Sequence, residues 1–99
     1  MATVTSHSNF SYVSDVTITV GSVTGSSSKT VTYTLPGYLA STQIPVVIAP
    51  TLTDAGLGIG NAWLSSPTNS GTTLNVTIIN SASTKTPAND PIVFKVAVL

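Results

Sequence analysis

The sequence contains no cysteine, no arginine and no glutamate, and each absence removes a class of site. Without cysteine there are no disulfides and no thiolate metal sites, a usage that favours assembly in a reducing cytosol. Charged residues make up 6% of the chain, against about a quarter in ordinary soluble domains. The net charge is zero, so the clustered Lys and Arg that neutralise phosphates are missing, and we expect no nucleic-acid partner.

Long apolar runs are missing as well, because none approaches the roughly 18 residues of a membrane-spanning helix, and we expect no membrane partner. The first residues, MATVTSHS, contain neither the basic nor the apolar region of a signal peptide. What the chain does contain is serine and threonine, which supply its polarity without charge. A neutral surface of this kind suits a subunit covered by neighbouring protein better than a free monomer.

The 99 residues are enough for one small domain. Segments that alternate between apolar and polar residues, or are apolar throughout, are separated by turns rich in glycine, proline and serine. The predicted strands cover residues 10–20, 29–35, 44–49, 57–65, 72–80 and 92–99. This pattern predicts an all-β fold, a single small β-sandwich or jelly-roll-like barrel of about six or more antiparallel strands. The domain would span residues 10–99, after an N-terminal arm at residues 1–9.

Two predicted strands are apolar on both faces. Segment 44–49 reads IPVVIA, which predicts a strand that is buried on both sides. In segment 92–99 one face is wholly apolar, and the other is interrupted only by a lysine. That pattern predicts either a central position in a sheet or a subunit interface. The candidate interface residues are Val93, Lys95, Ala97, Leu99 and Trp63.

Three glycines at every second position precede the only tryptophan. Gly56, Gly58 and Gly60 fit neither a P-loop nor a dinucleotide fingerprint, since both of those motifs open a helix and this segment continues as a strand. We interpret them as packing positions that let a backbone or a ring approach closely.

We expect Trp63 to be buried in the core or at an interface, because a lone tryptophan in a small β-domain usually is. The alternative is an exposed Trp63 that binds carbohydrate together with Asn61 and Asn69.

The residues for catalysis are sparse. His7 is the only histidine, and without cysteine or glutamate it does not form a usual zinc site. A Ser-His-Asp triad could formally draw on Asp15, Asp54 or Asp90, but no segment resembles a nucleophile elbow. Asp54 and Asp90 stand in turn sequences, which explains them without a catalytic pair. We therefore predict that the protein is not an enzyme and has no catalytic residues, no metal and no cofactor.

The second half of the chain combines several recognisable segments. Pro36-Gly37 ends a threonine-rich strand, residues 50–65 read PTLTDAGLGIGNAWLS, residues 73–80 read TLNVTIIN, and residues 86–88 read TPA before the last strand. In this order they resemble small β-structured virion proteins of tailed bacteriophages, over about residues 29–99. Trp63 stands where that pattern has an arginine, which replaces a charged feature by an apolar one.

The resemblance implies a structural viral protein without catalytic residues. The leading hypothesis is a head decoration (cement) protein, a homo-oligomer such as a trimer, that binds the major capsid protein at the capsid surface of the virion and is assembled in the host cytoplasm. The second hypothesis is a tail-fibre or receptor-binding module that recognises host surface glycans. Neither hypothesis implies a cofactor.

Overall fold

The computed structural model describes residues 10–52, 56–84 and 91–99. It is all-β, with six antiparallel strands in two three-stranded sheets, which confirms the predicted fold class. The strands are β1 (Tyr12–Thr19), β2 (Ser27–Leu35), β3 (Pro45–Leu52), β4 (Leu57–Leu64), β5 (Thr72–Asn80) and β6 (Pro91–Val98). The predicted arm at residues 1–9, including His7, lies outside the described residues, as do Asp54 and Asp90.

The strand order is β1-β6-β3 in the first sheet and β2-β5-β4 in the second. The chain therefore changes sheet at every connection except the one between β4 and β5, which are paired neighbours. The β2–β5 pair is nested inside the β1–β6 pair, as in the wrapped chain of a jelly roll, which has eight strands. This wrapping makes β5 and β6 the central strands.

The core lies between the inward faces of these two central strands. Alternate residues of a strand share a face, so one face of β5 and one of β6 can be apolar throughout. The fully buried side chains on them are Leu74, Val76, Ile78, Ile92, Phe94, Val96 and Val98. Each contributes about 1.5–3 kcal/mol when it leaves water. Val23 and Leu39, from the two connections that flank β2, are also fully buried.

The prediction that segment 44–49 is buried on both faces is wrong. Ile44, Val46 and Ile48 are all exposed, because within the described part of the chain β3 pairs only with β6 and no further layer covers its outward side. The strand is also irregular, with a register shift between Ile48 and Thr51. An apolar run without alternation does not distinguish a central strand from an edge strand with an uncovered apolar face. For β6 the structure shows the first of the two predicted alternatives, a central position in the sheet, although its second face is exposed at Val93.

A buried amide joins two connections at one end of the sandwich. Asn80, at the end of β5, is 1% exposed. Its Nδ2 donates to the carbonyl oxygens of Val23 at 3.1 Å and Thr84 at 2.9 Å, and its Oδ1 accepts from the backbone N–H of Ala82 at 3.0 Å. A buried amide with both ends paired stabilises the fold, whereas the same groups unpaired would cost about 1–3 kcal/mol each.

Gly25 lies in the same joint. Its backbone is so close to that of Ser83 that an added Cβ would overlap the Ser83 carbonyl group. The neighbouring N–H of Ser26 donates to the Ala82 carbonyl at 2.8 Å, which fixes this approach. The position therefore requires glycine for lack of space.

We predict that Gly25→Ala lowers the free energy of unfolding by about 1–3 kcal/mol, because the methyl group must push two backbone segments apart. In a domain of this size that is a fall in Tm of roughly 4–8 °C for each kcal/mol. Thermal and denaturant unfolding would measure it. Gly58→Ala is the matched control, because nothing lies within 4 Å of its added Cβ. Equal losses in both variants would contradict the proposed crowding at Gly25.

Candidate interaction surfaces

The outward side of the first sheet is aliphatic at one end, whereas Asp15, Lys95 and threonines lie among the aliphatic residues towards the other end. In the strand register, Ala97 of β6 lies between Val13 of β1 and Val46 of β3. Leu99 extends this side beyond β6, and its N–H donates to the Ile44 carbonyl at 2.9 Å. We call this surface the apolar face; it consists of Val13, Ile44, Val46, Ile48, Val93, Ala97 and Leu99.

Six of these seven side chains are between 38% and 60% exposed. The exception is Ala97, which is 1% exposed because its short side chain lies between two valines. The structure thus brings Val93, Lys95 and Leu99 to one exposed surface, while Ala97 contributes its floor. An exposed apolar patch bordered by polar residues often marks a site of protein–protein contact.

Four members of the apolar face were missed by sequence reasoning. Val13 lies in β1, Val46 and Ile48 lie in β3, and Ile44 directly precedes β3; both strands flank β6 in the sheet but are distant from it in sequence. The run IPVVIA is the available signal, but it predicts burial as readily as exposure.

Among the residues that the structure describes, one ion pair lies within the apolar face. Lys95 Nζ is 3.6 Å from Asp15 Oδ1, and both side chains are largely exposed to solvent. Such a pair stabilises the fold by no more than about 1 kcal/mol. Because the two charges are opposite, the pair adds no net charge to the apolar face.

A groove of about 500 Å³ separates the edges of β3 and β4. Both strands have register shifts along it, between Ile48 and Thr51 in β3 and between Ile59 and Ala62 in β4. Its walls include Pro45, Val47, Pro50, Ile59 and Asn61. Prolines and bulges at sheet edges prevent regular pairing with a further strand.

The outward side of the second sheet has a different chemistry. Its exposed residues on β2 are threonines, paired with further polar residues on β5. We call this surface the threonine face; it consists of Thr30, Thr32, Thr34, Thr73, Asn75, Thr77, Ile79 and Trp63. The ammonium group of Lys29 does not lie on this face, because its Nζ donates a hydrogen bond to the Val20 carbonyl at 2.7 Å. Among the described residues the threonine face therefore carries no charged side chain.

The expectation that Trp63 is buried is wrong for the single chain, since Trp63 is 39% exposed. The register shift between Ile59 and Ala62 explains the error. An extra residue in a strand reverses the alternation beyond it. Leu57 and Leu64 are seven positions apart and yet both buried, so Trp63 is placed outward instead of inward. No hydrogen bond among the described residues joins the side chains of Asn61 or Asn69 to Trp63.

The three glycines differ in what surrounds them. An added Cβ on Gly60 would be 2.9 Å from Ile79 Cδ1, and one on Gly56 would be 2.7 Å from the Ala82 Cβ. These two positions support the interpretation of close packing. At Gly58 that interpretation is wrong, because the space above it is open.

A shallow depression lies at the end of the threonine face where Ile79 of β5 pairs with Gly58 of β4. It has a volume of about 590 Å³ and is lined by hydroxyl groups and one isoleucine. The lining residues are Ser26, Ser27, Ser28, Thr77, Ile79, Asn80 and Ser81. Gly58 pairs with Ile79 across the β4–β5 ladder. Because Gly58 has no side chain, the space beside the depression is open.

Comparison of this chain with known protein families, with curated proteins and with solved structures found no match. Within residues 10–52, 56–84 and 91–99, no three side chains of His, Cys, Asp or Glu are grouped so that they could hold a metal ion. The same residues contain no helix with the length and apolar character needed to cross a membrane. The candidate sites on the described surface are therefore the two sheet faces and the groove between the edges of β3 and β4.

We predict that acrylamide quenches the fluorescence of Trp63, because more than a third of the residue is exposed. Trp63 is the only tryptophan, so the signal is unambiguous. Stern–Volmer constants in native buffer and in denaturant would measure its accessibility. A native signal that resists quenching at every protein concentration would contradict the outward placement. Protection that appears only at high concentration would show that a second copy covers the ring.

Proposed function

We propose that this chain is a structural virion protein, a capsid decoration (cement) protein that stabilises a phage head through contacts with the major capsid protein and with further copies of itself. The observation that carries the proposal is the apolar face, which supplies a ready protein-binding surface on one side of the sandwich. The resemblance of residues 29–99 to phage virion proteins supplies the setting.

The size of the apolar face favours many weak contacts over one strong contact. Three strands about 4.8 Å apart, each of about eight residues at about 3.3 Å, cover on the order of 350 Å², and the apolar face is only part of this area. Stable protein interfaces bury about 800 Å² on each partner. One such contact is therefore weak, but copies fixed on a repeating lattice gain from multivalency. A capsid decoration protein would be bound in this way, as many copies on the repeating lattice of the capsid.

The charged residues on this face would influence the orientation of a bound partner more than its affinity. Asp15 and Lys95 are exposed beside the aliphatic residues of this face. Charged groups in such a setting select the orientation of a partner and exclude like charges, while the aliphatic contacts supply the free energy of binding.

The direct test is the number of copies per particle, measured by quantitative mass spectrometry against the major capsid protein in purified virions of the phage that encodes this chain. We expect hundreds of copies. A handful would move the protein to the tail and overturn the decoration role. Complete absence from purified particles would overturn any role in the virion.

We predict that Val93→Lys lowers occupancy of the particle at least tenfold, because it adds a positive charge to the docking surface where the register neighbours are the uncharged Thr17 and Thr51. Ile79→Lys is the matched control. Ile79 has the same exposed fraction as Val93, 43%, but belongs to the threonine face. Occupancy would be measured by rebinding purified protein to stripped particles, with circular dichroism to verify folding. Equal losses in both folded variants, or no loss in Val93→Lys, would argue against the apolar face as the docking surface.

One observation favours the second hypothesis, a tail-fibre or receptor-binding module for host glycans. Trp63 is exposed on a face that is polar and uncharged in its described residues. The copy number distinguishes the two positions in the particle, since receptor-binding modules are present in few copies and decoration proteins in many.

A further inference from the structure

We propose that the threonine face is a binding site for neutral oligosaccharides, with Trp63 at one end and the hydroxyl-lined depression at the other. This inference goes beyond the decoration role and does not depend on it, because it concerns the opposite side of the sandwich. It is carried by the joint position of an exposed aromatic ring, a shallow hydroxyl-lined depression and an open glycine position, Gly58, on β4.

The depression matches the chemistry of a sugar. Ser28 and Thr77 contribute hydroxyl groups, each of which can donate one hydrogen bond and accept others. Sugar hydroxyls have the same double capacity, so a surface of serine and threonine can pair with them without desolvating a charge. Ile79 adds an apolar patch for the C–H side of a ring. Binding sites for small molecules commonly combine concavity, apolar surface and a few polar groups in this way.

Trp63 supplies the flat apolar surface that a pyranose ring can stack on, and its segment is held in place. The Nδ2 of Asn75 donates to the Trp63 carbonyl at 3.3 Å and to Ser65 Oγ at 2.9 Å. Asn75 is itself nearly buried, so it acts as a positioning residue for β4 and not as a contact to the ligand. A surface that is fixed before binding loses little entropy when the ligand arrives.

The distance between the two ends indicates an oligosaccharide. Trp63 pairs with Asn75, and Gly58 pairs with Ile79, four residues further along β5. Four residues span about 13 Å, which exceeds a single sugar ring. The space above Gly58 is open, and Gly60 admits the Ile79 side chain beside it, so no side chain of these two residues obstructs a ligand that lies along the strand.

The charges define the ligand further. Lys29 directs its ammonium group to the Val20 carbonyl, and Lys95 lies on the other sheet beside Asp15. Among residues 10–52, 56–84 and 91–99 no cation faces the site, so the described surface offers no ion pair to an acidic sugar. The expected ligands are neutral.

The experiment is a titration of the intact protein with neutral oligosaccharides of glucose, galactose, mannose and N-acetylglucosamine, with sialylated and sulfated oligosaccharides as charged comparisons. Trp63 fluorescence and saturation-transfer NMR would detect binding. We expect a saturable change with at least one neutral series, and tighter binding for a trisaccharide than for its monosaccharide. Binding confined to charged sugars, or no binding up to millimolar concentration, would overturn the proposal.

Variants separate a specific site from a general effect. Trp63→Ala and Gly58→Val, which fills the open strand position, should each weaken binding at least tenfold by NMR. Val93→Lys on the apolar face should bind sugar as the unchanged protein does, so that failure of the decoration role and failure of this site remain distinguishable. If the Gly58→Val protein is folded and binds normally, or if Trp63→Ala abolishes self-association instead of sugar binding, the threonine face is not a sugar site.

Discussion

The rest of the structure depends on the contact between the inward faces of β5 and β6. These are the central strands of the two sheets, and each is paired on both sides. Their inward residues are fully buried against the opposite sheet, which removes more apolar surface from water than any edge strand does. Each of the four outer strands pairs with β5 or β6 through backbone hydrogen bonds. Their outward side chains lie outside the core and are available for contacts with other molecules.

Much of this arrangement could be predicted from alternation alone. Residues 72–80 and 92–99 repeat apolar residues at every second position, and both are strands with the expected faces inward. Alternation fails where the strand itself is irregular. The bulge in β4 reverses the direction of Trp63, and no local feature of the glycine-rich segment reveals this before the strand is paired.

The composition of the apolar face could not be predicted for a different reason. The sequence suggests that Val93 and Leu99 share a face, but their neighbours Val13 and Val46 are contributed by β1 and β3. Which strands flank β6 is decided by the wrapping of the whole chain, and period-2 patterns within one segment contain no information about it. The continuous run in β3 is equally compatible with an uncovered edge and with a covered centre.

The edge of β3 has a consequence for how copies can meet at high density. A regular exposed edge would invite strands of other copies to extend the sheet, which is the route to fibrous aggregates. Pro45 and Pro50 lack an N–H to donate, and the bulge between Ile48 and Thr51 breaks the ladder that an incoming strand would need. A strand of another copy would therefore find no regular ladder at this edge, so extension of the sheet from one copy to the next is disfavoured there even at high protein concentration.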